Sequence, residues 1–301
     1  MHIAKTLVHK AAMPVALEAV RTFASVCPNE YFLEIHSDGS LDKEDVAALE
    51  KAAGMLNKSV VYPAERVDKL ATVLESYPLS RDLISRRGYM TKIELFAFSS
   101  PPFFYFDSDI VWLRPFQPIM QVDGGSIFST ETWSWYYGMA GHAEWIKEKI
   151  PARINSGFAF INSPFPFQRL ETMLEKGLFN PDNQGAGDQE LFAFLFRDTL
   201  VFSLKDFTRS RVGVRYDLKS LESVALHFPG RMWERHLDQI RAFQPDLGLT
   251  PKAVDFCQPK RLDCYEVAKM NFVKYAQANS LLDKGVNLYR KVRRIRYDFF
   301  R

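Results

Sequence analysis

The sequence predicts a layered α/β fold built on a mainly parallel sheet, and three observations carry that prediction. Over the first hundred residues, short apolar runs alternate with stretches of helical spacing in the order β-α-β-α-β-α-β. The run FFYF (103–106) is wholly aromatic and is followed at once by Asp107-Ser108-Asp109. Polar clusters also close two earlier predicted strands, at His9-Lys10 and at His36-Ser37-Asp38. Ligands of such sheets sit at the carboxyl ends of strands, so three polar clusters there point to one shared crevice.

The elements follow in order. Thr6–His9 is a short apolar strand. Pro14 to Val26 is a helix, with Val15, Ala19, Phe23 and Val26 on one face and proline in its first turn. Tyr31–His36 is a buried strand that SDGS breaks. Asp42 opens a second helix with Asp45 in its first turn. Val60–Tyr62 is the third strand, and residues 65–75 the helix after it. Met90–Phe98 is helical and leads into FFYF. Beyond Leu113 the pattern loosens. Strands are expected at 126–129, 158–161 and 224–228, and a short helix at 188–196. Residues 244–259 contain Pro and Gly and read as a linker; the chain from about Leu262 reads as helical. The expected division is a domain at 1–245 and an extension at 246–301.

Composition narrows the function classes. The 301 residues, 47% hydrophobic, suffice for a sizeable core. Cys27, Cys257 and Cys264 form no Cys-x-x-Cys pair, so neither a disulfide framework nor a cysteine zinc site is implied. The start lacks an unbroken apolar stretch and no run is long enough to span a bilayer, so a cytoplasmic location is expected. Residues 284–301 carry seven Lys/Arg and one Asp, a net of +6; with +3 for the whole chain, the other 283 residues stand at −3. A mildly acidic body disfavours nucleic acid as a partner. In the tail, Leu288, Val292, Ile295 and Phe299 share one helical face, with Arg290, Arg293, Arg294 and Arg296 mostly off it. Such a helix either packs its stripe on the body or lies on an anionic membrane surface at the inner face.

Asp107 and Asp109 carry the chemistry. Two carboxylates at i and i+2 beyond a rigid apolar strand can hold a hard divalent cation through oxygen, and the cation can neutralise a diphosphate. The plainer alternative is two solvated acids at a turn.

These residues and several others, in order, resemble glycosyltransferases of the GT-A fold. Asp107-Ser108-Asp109 resembles their Asp-x-Asp motif, and Met90-Thr91-Lys92-Ile93 the Thr-Lys-Leu segment of glycogenin-like members. INSGFAFIN (154–162) resembles the Asn-x-Gly segment, Gly187-Asp188-Gln189 the Asp-Gln pair, and Leu226-His227-Phe228-Pro229-Gly230 the His-x-x-Gly segment. The set is similar to glycosyltransferase family 8 and its relatives over roughly residues 1–235. The family's lysine after His-x-x-Gly is absent, and Arg231 is the nearest cation. HSDGS (36–40) resembles instead the Asp-Asp-Gly-Ser of family 2, whose Asp helps hold uracil.

The resemblance implies a nucleotide-sugar-binding, Rossmann-like mixed sheet with a helical C-terminal extension. It implies Asp107, Asp109 and His227 as ligands of Mn2+ or Mg2+. Donor contacts are expected from His9, Asp38, Lys92, Asp107, Ser108, Asn155, Gly157, Gly230 and Arg231, and Asp188 and Gln189 are expected beside the reacting carbon. The implied activity is sugar transfer from a nucleoside-diphosphate donor, UDP-linked, with retention, to a glycan, lipid-linked or protein acceptor. Each residue also has a structural reading: His227 as a hydrogen-bonded strand-end His, Asn155 and Gly157 as a bulge, Asp188 as a helix cap, Lys92 as a solvated face. The aromatic loop ETWSWYYG (131–138), with Trp133, Trp135, Tyr136 and Tyr137, is core or an acceptor surface. Two other functions stay open. One is a haloacid-dehalogenase-like phosphatase, whose first motif is also Asp-x-Asp after an apolar strand. The other is a non-catalytic nucleotide-sugar-binding protein.

Overall fold

The computed structural model describes residues 2–27, 29, 31–54, 56–61, 74–86, 90–118, 126–130, 154–179, 187–196, 199–202, 205–210 and 214–257. The predicted helix at 65–75 lies mostly outside them, and the aromatic loop and the basic tail entirely so.

The first part of the chain follows the predicted alternation: β1 (His2–Val8), α1 (Met13–Val26), β2 (Tyr31–Ser37), α2 (Lys43–Ala53), β3 (Lys58–Val61), α3 (Pro78–Ser85), α4 (Met90–Phe98) and β4 (Phe103–Asp107). Then come β5 (Ile110–Trp112), β6 (Ile127–Thr130), β7 (Ile154–Ile161), α5 (Phe167–Glu175), α6 (Gly187–Leu195), β8 (Leu200–Phe202), β9 (Phe207–Arg209), β10 (Ala225–His227), α7 (Leu237–Ala242) and β11 (Phe256–Cys257). The main sheet has eight strands in the order β11-β8-β6-β7-β4-β1-β2-β3. It is mixed, as the resemblance implies: β3, β2, β1 and β4 are parallel, and β7 runs antiparallel to both β4 and β6.

Alternation on the strands sorts the core into two layers. Phe104 and Phe106 of β4 pack with Phe23 of α1 and Trp112 of β5. Phe103 and Tyr105 point the other way, onto Phe96 of α4, which also meets Phe192 of α6. All four aromatics are at most 1% exposed. Helix ends are fixed locally. Asp42 and Asp45 form a reciprocal capping box at α2, which the sequence had suggested only as an acidic first turn. Lys10, just beyond β1, pairs with Asp42 and so ties this cap to the end of β1.

A second sheet, β5-β10-β9, has three-residue strands too short to show any period in sequence. It sits over α1, whose Arg21 donates to the carbonyls of Ile240 and Phe243 beside α7. The segment expected as a linker is not free along its length. Lys252 exchanges backbone hydrogen bonds with Pro115 and Gln117, its ammonium lies 2.6 Å from buried Asp206, and β11 adds to the main sheet beside β8. Pro and Gly there shape a turn that returns to the body. No helix among the described residues is long and apolar enough to cross a membrane.

One contact outside the site fixes two helices. Glu171 of α5 is 5% exposed and caps the start of α3, accepting from the backbone N–H of Leu79 (2.9 Å) and Ser80 (2.8 Å) and from Ser80 Oγ (2.6 Å). Burial alone would raise its pKa, but these donors outweigh it and hold the carboxyl below its ordinary range. Glu171→Ala should lower unfolding stability by about 1–3 kcal/mol at neutral pH. A depressed folded-state pKa stabilises above the unfolded value and is lost as pH falls through the folded one. The gap between wild type and variant should therefore narrow below about pH 4. Urea unfolding at neutral and acid pH checks both expectations.

Candidate active site

Three strand ends meet as predicted. Val8 of β1 is in register with Ser37 of β2, and Leu7 with Asp107 of β4. The Asp38 N–H donates to the Val8 carbonyl at 3.2 Å, and the Lys10 N–H to Ser40 Oγ at 2.8 Å. Asp38 folds its own turn: its Oδ1 accepts from the Ser40 N–H (2.9 Å) and the Ser40 hydroxyl (2.5 Å). Gly39 in that turn has φ 95°, a left-handed conformation that glycine adopts without strain. His9 is exposed beside this turn.

The small sheet delivers His227. Residue 227 of β10 is in register with Ile110 of β5, and the Phe228 N–H donates to the Asp109 carbonyl at 2.9 Å. This antiparallel pairing sets the imidazole against the Asp-x-Asp turn. His227 Nε2 lies 3.2 Å from Asp109 Oδ1 and 3.9 Å from Asp107 Oδ2. One ligand atom from each of the three residues falls within 4.8 Å of the others, so the set can hold a metal ion.

The two oxygens of Asp107 have different surroundings. Oδ1 accepts from the Tyr105 hydroxyl at 2.7 Å and faces the Lys92 ammonium at 2.7 Å. Oδ2 is the oxygen turned toward His227. Asp109 Oδ1 is buried and accepts no hydrogen bond among the described residues; its near neighbour is the His227 imidazole at 3.2 Å, a pairing that leaves it able to take a metal ion beside that ring. An open carboxylate oxygen, an imidazole and a second carboxylate make a donor set suited to a hard or borderline divalent cation.

Lys92 joins this cluster to a third acid. It is 8% exposed on α4, and its ammonium reaches Ser156 Oγ at 3.0 Å and Asp188 Oδ2 at 3.2 Å as well as Asp107. Asp107, Ser156 and Asp188 thus engage its three protons. Burial, the largest effect on this group, would lower its pKa; the charges of Asp107 and then Asp188 reverse that, and the net direction is upward. For Asp107, burial pushes upward, but Lys92 and then His227 bring it below its ordinary value. Tyr105 is driven well above its ordinary value by burial and by the charge of Asp107, so its hydroxyl stays a donor.

Gly157 has a steric reason to be glycine. A Cβ there would lie 2.8 Å from Asn155 Oδ1, 2.8 Å from His227 Cε1 and 3.0 Å from Asp107 Oδ2. Asn155, 2% exposed, accepts from the Gly157 N–H at 2.7 Å. The register of β6 on β7 shifts here, from Phe128↔Ala159 to Ser129↔Asn155, so residues 156–158 have no register partner on β6. The bulge reading of Asn155 and Gly157 is realised, and the irregular backbone puts glycine against His227 and Asp107.

Ser108 and Gln189 adjoin the cluster in sequence, while His9, Asp38, Gly230 and Arg231 stand apart from it. Ser108 is buried in the turn between the two acids. Gln189 is half-buried in the first turn of α6, next to Asp188. Gly230 has φ 67° and follows β10. Arg231 is exposed and pairs with Glu234, three residues on. No hydrogen bond or ion pair joins His9, Asp38, Gln189 or Arg231 to the Asp107–Lys92–Asp188 group among the described residues. Sequence reasoning missed Tyr105 and Ser156. Alternation offered a signal for the first, since Tyr105 and Asp107 at i and i+2 share a face; nothing local marks Ser156.

No protein-family model matches the chain, and no curated protein matches it. Solved structures do. The glycosyltransferase GlyE of Streptococcus pneumoniae is similar over 81% of this chain and 62% of its own, at 9% identity and a TM-score of 0.51. The chain therefore spans less than two thirds of GlyE. The galactosyltransferase LgtC, in complex with donor and acceptor sugar analogues, aligns over 83% of this chain and 98% of its own, at 14% identity and a TM-score of 0.49. Mouse xyloside xylosyltransferase 1 aligns over 75% and 96%, at 14% identity and a TM-score of 0.41. The likeness to GlyE establishes the fold: this chain has the GT-A-type fold of glycosyltransferases. The phosphatase alternative is left without support from the fold.

Gly157→Ala tests the steric account. Mn2+ titrated into metal-free protein by calorimetry should bind the variant roughly tenfold or more weakly than wild type, the scale expected when groups around a ligand set are displaced. Equal affinity would show that Asn155, His227 and Asp107 can move aside without cost.

Proposed function

We propose that the chain is a metal-dependent glycosyltransferase, moving a sugar from a UDP-linked donor to a glycan, lipid-linked or protein acceptor. The observation that supports this most is the Asp107–Asp109–His227 cluster, whose buried Asp109 oxygen accepts no hydrogen bond among the described residues, set at the strand ends of a GT-A-type fold. These three residues would hold Mn2+ or Mg2+. Bound there, the cation would neutralise the diphosphate as charge develops on it.

In this reading, His9 and Asp38 contact the base at the ends of β1 and β2. Ser108, Gly230 and Arg231 line the donor. Lys92 adds positive charge beside the acids and holds Asp188, and Asn155, Gly157, Asp188 and Gln189 surround the sugar. The anionic-surface reading of residues 284–301 stays a proposal from their sequence alone.

A thermal-shift panel of UDP-sugars, with and without Mn2+, tests the reading. A stabilising shift that needs both Mn2+ and one nucleotide sugar is expected in wild type and should vanish in Asp107→Asn and Asp109→Asn. Equal shifts in the variants would remove the metal role from these acids. Nucleotide-sugar binding with neither transfer nor hydrolysis would instead support a non-catalytic binding protein.

Stereochemistry provides a second test. An inverting transferase needs a base, usually a carboxylate, aimed at the acceptor hydroxyl. Here Asp188 Oδ2 is already engaged by Lys92 and Ser156, and Gln189 is a poor base. The resemblance of the Asn-x-Gly, Asp-Gln and His-x-x-Gly segments to those of retaining families favours retention, with the departing diphosphate oxygen taking the acceptor's proton. An α-linked donor should give an α-linked first product in the anomeric proton NMR signal. A β-linked first product would overturn retention and make Asp188 the general base.

A further inference from the structure

Ser156 is the central residue of Asn155-Ser156-Gly157 and is 1% exposed. Its neighbours in sequence face His227 and the Oδ2 side of Asp107, whereas its own hydroxyl meets Lys92 and Asp188. It accepts from the ammonium at 3.0 Å and donates to Asp188 Oδ2 at 2.6 Å. A hydroxyl has one proton to give, and here it goes to the carboxylate. Asp188 Oδ2 is thereby held from two sides, by an ammonium on α4 and a hydroxyl on β7. Asp188 Oδ1 carries no hydrogen bond among the described residues, and the side chain is 21% exposed.

We infer that Ser156 is a positioning residue: it fixes the rotation of the Asp188 carboxylate so that Oδ1 is presented to a hydroxyl of the donor sugar. This rests on the glycosyl-transfer reading and deepens it. Lys92 alone cannot do the same, because an ammonium is a point charge that attracts either oxygen, and it is shared with Asp107. A directional O–H donor on one oxygen selects which oxygen is left over. The division of labour follows from position. Asp107, Asp109 and His227 deal with the diphosphate end, and Ser156 acts through Asp188 on the sugar end only.

Calorimetry in the presence of Mn2+ tests this with two probes: UDP alone, and whichever of UDP-glucose, UDP-galactose and UDP-N-acetylglucosamine wild type binds best. Ser156→Ala should bind the nucleotide sugar about tenfold more weakly, the scale of a lost hydrogen bond to a charged group, while UDP and Mn2+ affinities stay within about twofold. Ser156→Cys, close in volume but a weak donor, should behave like the alanine variant, which separates the donor's loss from a packing defect. Ser156→Thr, which keeps the hydroxyl, should restore affinity. Equal weakening of UDP and nucleotide sugar would show that the hydroxyl acts on the whole site and would overturn the inference, as would an unchanged nucleotide-sugar affinity. If wild type binds none of the three nucleotide sugars, the glycosyl-transfer reading itself fails and takes this inference with it.

Discussion

The buried ammonium of Lys92 is the interaction on which the rest of the site depends. Three partly buried carboxylates, Asp107, Asp109 and Asp188, come together, and withdrawing like charges from water without compensation is costly. Lys92 reaches two of them and spends its third proton on Ser156. Its own burial is made tolerable by the same acids. Removing Lys92 would leave Asp107 and Asp188 without their shared cation. Tyr105 completes it from below, since its hydroxyl and the ammonium both take Asp107 Oδ1 and leave Oδ2 facing His227.

The aromatic packing beneath serves the same geometry. Asp107 ends a strand whose four preceding side chains are locked between α1 on one side and α4 and α6 on the other. Lys92 and Asp188 are borne by α4 and α6, which meet through Phe96 and Phe192. That ammonium and that carboxylate are thus carried by helices that also meet through a ring contact in the core. Rigid supports of this kind hold charged groups in place without depending on the charges alone.

Much of this was legible in sequence because it is written in local pattern. α1, α4 and β4 lie close to where periodicity put them, and the strand-end clusters met as expected. The sheet β5-β10-β9 was not legible, because three-residue strands have no period and owe their existence to partners far away. The same holds for β11: Phe256 becomes strand only because Phe202 lies beside it. Within the site, Asp107 and Asp109 were named from local pattern and His227, Lys92 and Asp188 from the family resemblance, and the structure brings the five together. Ser156 was passed over because a serine in a strand shows nothing until Lys92 and Asp188 arrive from two helices. Arg231, named for its nearness to His227, is paired with Glu234 on the surface.

The pairing of β10 with β5 also has a consequence for the order of assembly. Asp109 and His227 are far apart along the chain, and the antiparallel contact that joins them closes a very long loop. During synthesis, Asp107 and Asp109 emerge early and can fold into the end of β4 with β1 and β2 already present. Their imidazole partner does not exist until more than a hundred further residues have been made. A nascent or prematurely ended chain therefore carries the two acids without the histidine of the cluster, and the complete constellation marks a molecule whose second sheet has already docked.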